Sequence, residues 1–286
     1  MMGSLPWTGC RVMNGPRTIS KCVILARGLG TRMRREAPGT QLTSAQSAAA
    51  SEGLKAMIPV GRPLLDYVLT ALADAGFRQA CLVIGPEHDV VREYYTHALR
   101  PSRIAVSFAV QAEALGTANA VLAAKEFADS DEFLALNGDN YYPPEALEQA
   151  QGLRQPGTVL FDANALVCYG NISEERIRAF AYCFVDPHGL LADIVEKPDV
   201  ATGADFDGEK LISMNCWRFG PEIFRACRDV PLSPRGECEL PLAVKLVIQR
   251  GETFKVAICR AGVLDLSRRS DIAGVTERLR NVKVQL

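Results

Sequence analysis

The first half of the chain alternates short apolar runs with amphipathic stretches. Residues 22–26 (Cys-Val-Ile-Leu-Ala) form an unbroken apolar run that stops at a glycine-rich turn, the pattern of a strand buried on both faces. Residues 63–75 carry Leu64, Leu65, Val68, Leu69 and Leu72 at helical spacing. A second strand run, 80–84, is followed by Gly85-Pro86 and a helical stretch through Val90, Val91 and Tyr94. Residues 104–110 alternate as a third strand, and 117–127 read as a helix. Residues 133–136 form a fourth strand that ends at Asn137-Gly138-Asp139. This β-α-β-α-β-α-β order predicts a mostly parallel sheet with helices on both faces, which binds ligands beyond the carboxyl ends of its strands.

The second half is less regular. Strand-like runs fall at 158–161, 165–169, 180–185, 190–195, 211–219 and 253–258, and helical patterns at 221–228 and 239–250. These strands are expected to extend the same sheet and wall off a second substrate pocket. Residues 35–53, rich in Ala, Ser, Thr and Gln, read as an inserted loop or short helix, and no internal repeat is evident. The expected fold is α/β, with a Rossmann-like, mostly parallel mixed sheet flanked by helices. It forms one domain over 21–286, behind a disordered extension over 1–20 in which Met13 offers an alternative start.

Composition narrows the function classes. Hydrophobic residues at 48% and charged residues at 23% suit an ordinary globular protein. A net charge of -1 supplies no basic field for nucleic acid. No apolar run reaches the ~18 residues that span a bilayer. The first 20 residues contain Arg11 and Arg17 but lack the apolar core of a secretory signal. Nine cysteines without a CxxC pair read as reduced thiols of a cytoplasmic protein. His88, His97 and His188 lack metal-ligand spacing, which argues against a zinc site or a histidine-based triad.

The candidate chemistry begins at Gly28-Leu29-Gly30-Thr31-Arg32. Glycines here let backbone N–H groups approach an anion, and Arg32 and Arg34 add charge. Two familiar phosphate motifs fail. A dinucleotide fingerprint needs glycine where Met33 stands, and the Gly-Lys-Ser/Thr of a P-loop is missing.

Residues 25–33, Leu-Ala-Arg-Gly-Leu-Gly-Thr-Arg-Met, resemble the signature of the sugar-phosphate nucleotidyltransferases. Residues 55–64, Lys-Ala-Met-Ile-Pro-Val-Gly-Arg-Pro-Leu, are similar to that family's second motif. Gln111-Ala112-Glu113-Ala114-Leu115-Gly116-Thr117-Ala118 resembles its base-recognition segment, Gly138-Asp139 its metal-binding pair, and Val195-Glu196-Lys197-Pro198 its Glu-Lys-Pro. The order agrees from about residue 21 to about residue 271.

The resemblance implies attack of a sugar 1-phosphate on the α-phosphorus of a nucleoside triphosphate, with Mg2+ assistance and release of pyrophosphate. It implies Arg32 and Lys55 as catalytic residues. Leu25, Ala26, Gly28, Gly30, Thr31, Gln111, Gly116 and Thr117 would bind the nucleotide. Glu196, Lys197 and Asn215 would bind the sugar phosphate, and Asp139 and Asp265 the metal. Residues 21–140 would form the nucleotide half and 141–286 the sugar-phosphate half. A glutamine offers a donor and an acceptor, which suits uracil or thymine, so UTP or dTTP is the expected substrate. The segment around Gln111 looks especially like that of the N-acetylglucosamine 1-phosphate uridylyltransferases.

Four departures stand out: Arg27 where the family has Gly or Ala, a 35–53 segment longer than in many relatives, Trp217 near a usual glycine, and no Trp or Gly-Thr flanking Asp265. No hexapeptide repeats follow, so the acetyltransferase domain of bifunctional relatives is not expected. Homo-oligomers are an expectation drawn from the family; neither nucleic acid nor membrane is expected as a partner. Two alternatives stay open: a cytidylyltransferase for another phosphorylated alcohol such as phosphocholine, and a catalytically silent nucleotide-sugar-binding regulator.

Overall fold

A computed structural model describes residues 18–35, 37, 39–196 and 209–286. Strand β1 (Lys21–Leu25) buries Cys22, Val23 and Ile24 completely, as a central strand with both faces covered does. It pairs in parallel with β2 (Gln79–Ile84) on one side and β4 (Phe133–Asn137) on the other, while β3 (Ala105–Val110) pairs in parallel with β2. A two-residue strand β5 (Asn140–Tyr141) follows β4. Next come β6 (Gly157–Asp162), β7 (Ala181–Val185), β8 (Leu191–Glu196), β9 (Leu211–Phe219), β10 (Lys255–Cys259) and the short β11 (Leu264–Asp265).

The main sheet runs β10-β6-β9-β4-β1-β2-β3, with β7 attached to β9 and β8 to β7. Strand β9 enters antiparallel between β4 and β6, so the sheet is mixed, as expected. From β1 the chain steps outward to β2 and β3, then returns to lay β4 on the other flank of β1. This reversal opens a crevice at the carboxyl ends of β1 and β4.

Alternate residues of β1 face two different cores. Cys22 and Ile24 pack with Leu65, Leu69 and Leu72 of the helix Leu64–Asp74. Val23 packs with Ala118 and Val121 of the helix Thr117–Ala123, in a core shared with the helices Glu222–Asp229 and Leu240–Gln249. A third core joins Met33, Ile58 and Val60 to Ile272 and Val275 of the helix Asp271–Leu279.

Most expected elements are present within a residue or two. The expected strand over 165–169 is instead the helix Ala163–Tyr169. Asp162, the last residue of β6, explains the difference. Its carboxylate accepts from the Ala165 N–H at 2.8 Å, a side-chain cap that starts a helix where an apolar run alone suits either structure. The helix expected over 117–127 is broken at Ala124 into Thr117–Ala123 and Lys125–Ala128. The 35–53 stretch contains the helix Ser44–Glu52. It opens with a capping box: Thr43 Oγ1 accepts from Gln46 N, and Gln46 Oε1 accepts from Thr43 N. The disorder expected over 1–20 lies outside the described residues as far as residue 17; Ile19 is buried.

Candidate active site

The loop leaving β1 is shaped by a tight backbone crossing. Gly30 has φ 61°, and a Cβ on it would lie 2.4 Å from the Gly53 carbonyl oxygen. Only glycine satisfies both conditions. A short helical turn follows, Thr31–Arg34, anchored by fully buried Met33. Arg32 stays exposed at the wall of the crevice, whereas Arg34 turns away to donate to the Glu52 carbonyl at 2.8 Å.

Lys55 crosses beside this loop. Its stem passes Gly28 at ordinary contact distance: a Cβ on that glycine would lie 3.6 Å from Lys55 Cε. The Lys55 ammonium forms an ion pair with Asp139 at the carboxyl end of β4. Burial acts to lower the lysine pKa, but the charge and hydrogen bond of Asp139, joined by Asp265, outweigh it and hold the group above its ordinary value.

Asp139 is fixed by backbone on two sides. Gly138 N donates to Leu25 O, and Leu266 N donates to Asp139 O, both at 2.9 Å. β5 pairs antiparallel with β11, which sets Asp265 opposite Asn140. Two carboxylates remote in sequence thus become neighbours. Burial, then the Asp139 charge, pushes the Asp265 carboxyl up to about 6, against the pull of Ser267, Arg176 and Lys55. Asp265 is bonded to Arg176, whose other arm donates to Asp271 at 3.1 Å. Among the described residues no group of three or more His, Cys, Asp and Glu could hold a metal. Two mutually repelling carboxylates are nevertheless a fitting donor set for a hard divalent cation that takes its other oxygens from phosphate and water.

At the far end of the crevice, Gln111 follows β3 and is buried. Its Nε2 donates to Gly116 O at 3.0 Å and to Asn119 Oδ1 at 2.8 Å. The amide nitrogen is therefore committed, and Oε1 is the group it can offer a ligand. Gly116, at φ 100°, lies so close to the Cys238 carbonyl that a Cβ would approach within 2.7 Å. Thr117 Oγ1 accepts from Leu240 N at 2.9 Å and ties this segment to the helix Leu240–Gln249.

Together these residues line a cavity of about 470 Å³, which holds Leu25, Ala26, Gly28, Gly30, Thr31 and Arg32 together with Lys55, Gln111, Gly116, Thr117, Asp139 and Asn215. A smaller cavity of about 140 Å³ shares Thr117 and Asn215 with it and adds Glu196, Arg235 and Glu239. Arg235 bridges Glu239 at 2.5 Å and Glu196 at 3.5 Å. Asn215 is held at φ 56°, a left-handed conformation rare outside glycine. It donates to Asn137 Oδ1 and accepts from the Trp217 indole N–H, each at 3.2 Å. Trp217 is fully buried between Phe219 and Phe254 and lines neither cavity, so it fixes Asn215 from behind. Lys197 lies outside the described residues. Asp265 stands behind the cavity wall, beside Asp139. Arg176, Asn137, Asn119 and Arg235 were not singled out in the sequence. Only Asn137, inside the Asn-Gly-Asp turn, carried a local signal.

Residues 21–265 match the nucleotidyl transferase family. The UTP--glucose-1-phosphate uridylyltransferase AglF of Haloferax volcanii is 26% identical over 266 residues, 93% of this chain and 98% of that protein. The bifunctional protein GlmU of Rhodopseudomonas palustris is 39% identical over 154 residues, 53% of this chain and 28% of that protein. A solved UDP-glucose pyrophosphorylase complexed with UDP-glucose superposes with a TM-score of 0.70 at 17% identity, over 93% of this chain and 100% of that chain, a likeness of fold.

Proposed function

We propose, for a chain that belongs to the nucleotidyl transferase family, the conversion of a nucleoside triphosphate and a sugar 1-phosphate to a nucleoside diphosphate sugar and pyrophosphate. The observation that carries this reading is the crevice between β1 and β4. It sets a glycine-walled anion loop and the Lys55–Asp139 pair at one end and a buried amide acceptor, Gln111, at the other.

In this reading the nucleotide lies along Leu25, Ala26, Gly28, Gly30 and Thr31, with its base against Gln111, Gly116 and Thr117. With Nε2 committed, Gln111 Oε1 accepts from the N3–H of uracil or thymine. Cytosine presents a lone pair at that place, so the amide favours UTP or dTTP and disfavours the cytidylyl alternative. Arg32 and Lys55 neutralise the phosphates where charge builds in the transition state. Asp139 and Asp265 would hold Mg2+, which when bound supplies Lewis-acid neutralisation of phosphate oxygens. The smaller cavity takes the sugar phosphate, with Glu196 accepting hydroxyl hydrogens and Asn215 held rigidly by Asn137 and Trp217. Its phosphate oxygen attacks the α-phosphorus and pyrophosphate departs in line, so a protein nucleophile is not needed.

On the same reading residues 21–140 form the nucleotide half of one domain and 141–286 the sugar-phosphate half, with Lys197 a further sugar-phosphate ligand. A cytoplasmic location and a homo-oligomer belong to the same proposal. The retained Arg32, Lys55 and Asp139 weigh against a silent regulator. The test is pyrophosphate release from a panel of five triphosphates against several sugar 1-phosphates, with and without Mg2+. Release with UTP or dTTP that requires Mg2+ is expected; no release from any pair would refute the assignment.

A further inference from the structure

We infer that Arg27 is a triphosphate ligand which Glu87 holds in reserve until the nucleotide arrives. The inference rests on the reading of the crevice as a nucleotide site. Arg27 lines the 470 Å³ cavity directly beside Gly28. Its side chain is only 9% exposed, yet Nε and Nη1 are buried without a hydrogen-bond partner. Nη2 reaches Glu87 at a long 3.4 Å to each carboxylate oxygen, and that carboxylate is itself 52% exposed.

A guanidinium in this position is undercompensated in two ways. Its N–H groups lack acceptors, and its charge meets one distant, half-solvated anion. A base carbonyl or a ribose hydroxyl would satisfy the N–H groups but leave the charge. Phosphate oxygens satisfy both, and the planar fork of arginine suits them. The adjoining Gly28-Leu29-Gly30 loop brings the same class of ligand within reach. Glu87 then acts as a carboxylate stand-in that bound phosphate displaces. The departure from Gly or Ala at this place becomes an added phosphate grip.

The test is calorimetric binding of uridine, UMP, UTP and inorganic pyrophosphate to the full chain and to the variants Arg27→Met and Glu87→Gln. Arg27→Met is expected to weaken UTP and pyrophosphate roughly ten- to a hundredfold, the range for a hydrogen bond to a charged group, with uridine unchanged. Glu87→Gln removes the competing anion and is expected to tighten UTP severalfold, an effect that a purely structural pair would not give. Because Glu87 is half exposed, this variant keeps the test available should Arg27→Met fail to fold. Equal losses for uridine and UTP would make Arg27 a nucleoside contact and overturn the inference. Unchanged UTP and pyrophosphate binding in both variants would overturn it too. An unaltered chain that binds none of the four probes would bring down the nucleotide reading itself.

Discussion

At the scale of the residue, Gln111 and Asp265 make the sharpest demands. In the proposed role Gln111 would discriminate by orientation, because Gly116 O and Asn119 Oδ1 take the amide nitrogen and leave Oε1 for a ligand. Gln111→Met keeps the volume but removes the acceptor. The kcat/KM ratio of UTP to CTP is expected to fall by roughly tenfold or more; an unchanged ratio would contradict the role. For Asp139→Asn, loss of the anion beside Lys55 is expected to lower turnover by roughly a hundredfold or more, while near-normal turnover would remove Asp139 from the site.

Asp265 titrates at about 6 in the fold, above the ordinary aspartate value. The fold therefore favours its protonated form. The metal-free protein gains from this group at pH 4 and loses that gain as pH rises through about 6. Asp265→Asn has no such titration. Subtracting the two stability–pH curves from denaturant unfolding is expected to leave a slope between pH 4 and pH 6. A flat difference would show that Asp265 is not held in this way.

At the scale of the element, the β5–β11 ladder decides whether Asp265 reaches Asp139. The segment leading into β11 crosses the end of the helix Ala163–Tyr169 backbone to backbone. A Cβ on Gly262 would lie 2.1 Å from the Tyr169 carbonyl carbon. Gly262→Ala is expected to destabilise the fold by about 2 kcal/mol or more and to lower activity with it. Gly274→Ala, in the helix Asp271–Leu279 with open space around its Cβ, is expected to stabilise by about 0.5–1 kcal/mol and leave activity intact. Unfolding curves of the two variants compared with the unaltered chain check both signs, and equal effects would contradict the crossing.

β1, β2 and β4 were legible because burial on both faces writes continuous apolar runs, and the edge strand β3 because its residues alternate. The run at 165–169 was ambiguous, and Asp162 was the signal that separates helix from strand. Strands of two residues, such as β5 and β11, are too short to show any period. The helix Pro144–Gly152 carries a local start signal, proline in its first turn followed by Glu145. Motif residues such as Gly30, Lys55 and Asp139 were readable one by one. Arg176, which holds Asp265, and Asn137, which holds Asn215, matter through contacts between segments distant in sequence, which no local pattern shows.

At the scale of the whole molecule, the return of the chain from β3 to β4 creates the crevice, and residues of β7, β8 and β9 line the smaller cavity that joins it at Asn215. Among the described residues no helix is long and apolar enough to cross a membrane. Residues distant in sequence, from Leu25 to Ser267, meet in one cavity, so no short segment carries the site alone. In the proposed reaction the α–β phosphoanhydride bond breaks and the α-phosphate moves to the sugar phosphate. The check is to follow UTP and dTTP labelled at the α-phosphorus, each with the same panel of sugar 1-phosphates and Mg2+. Label is expected in a nucleoside diphosphate sugar, with unlabelled pyrophosphate released in equal amount. Label that remains in the triphosphate with every sugar 1-phosphate, or appears only in the nucleoside monophosphate, would contradict the proposed reaction.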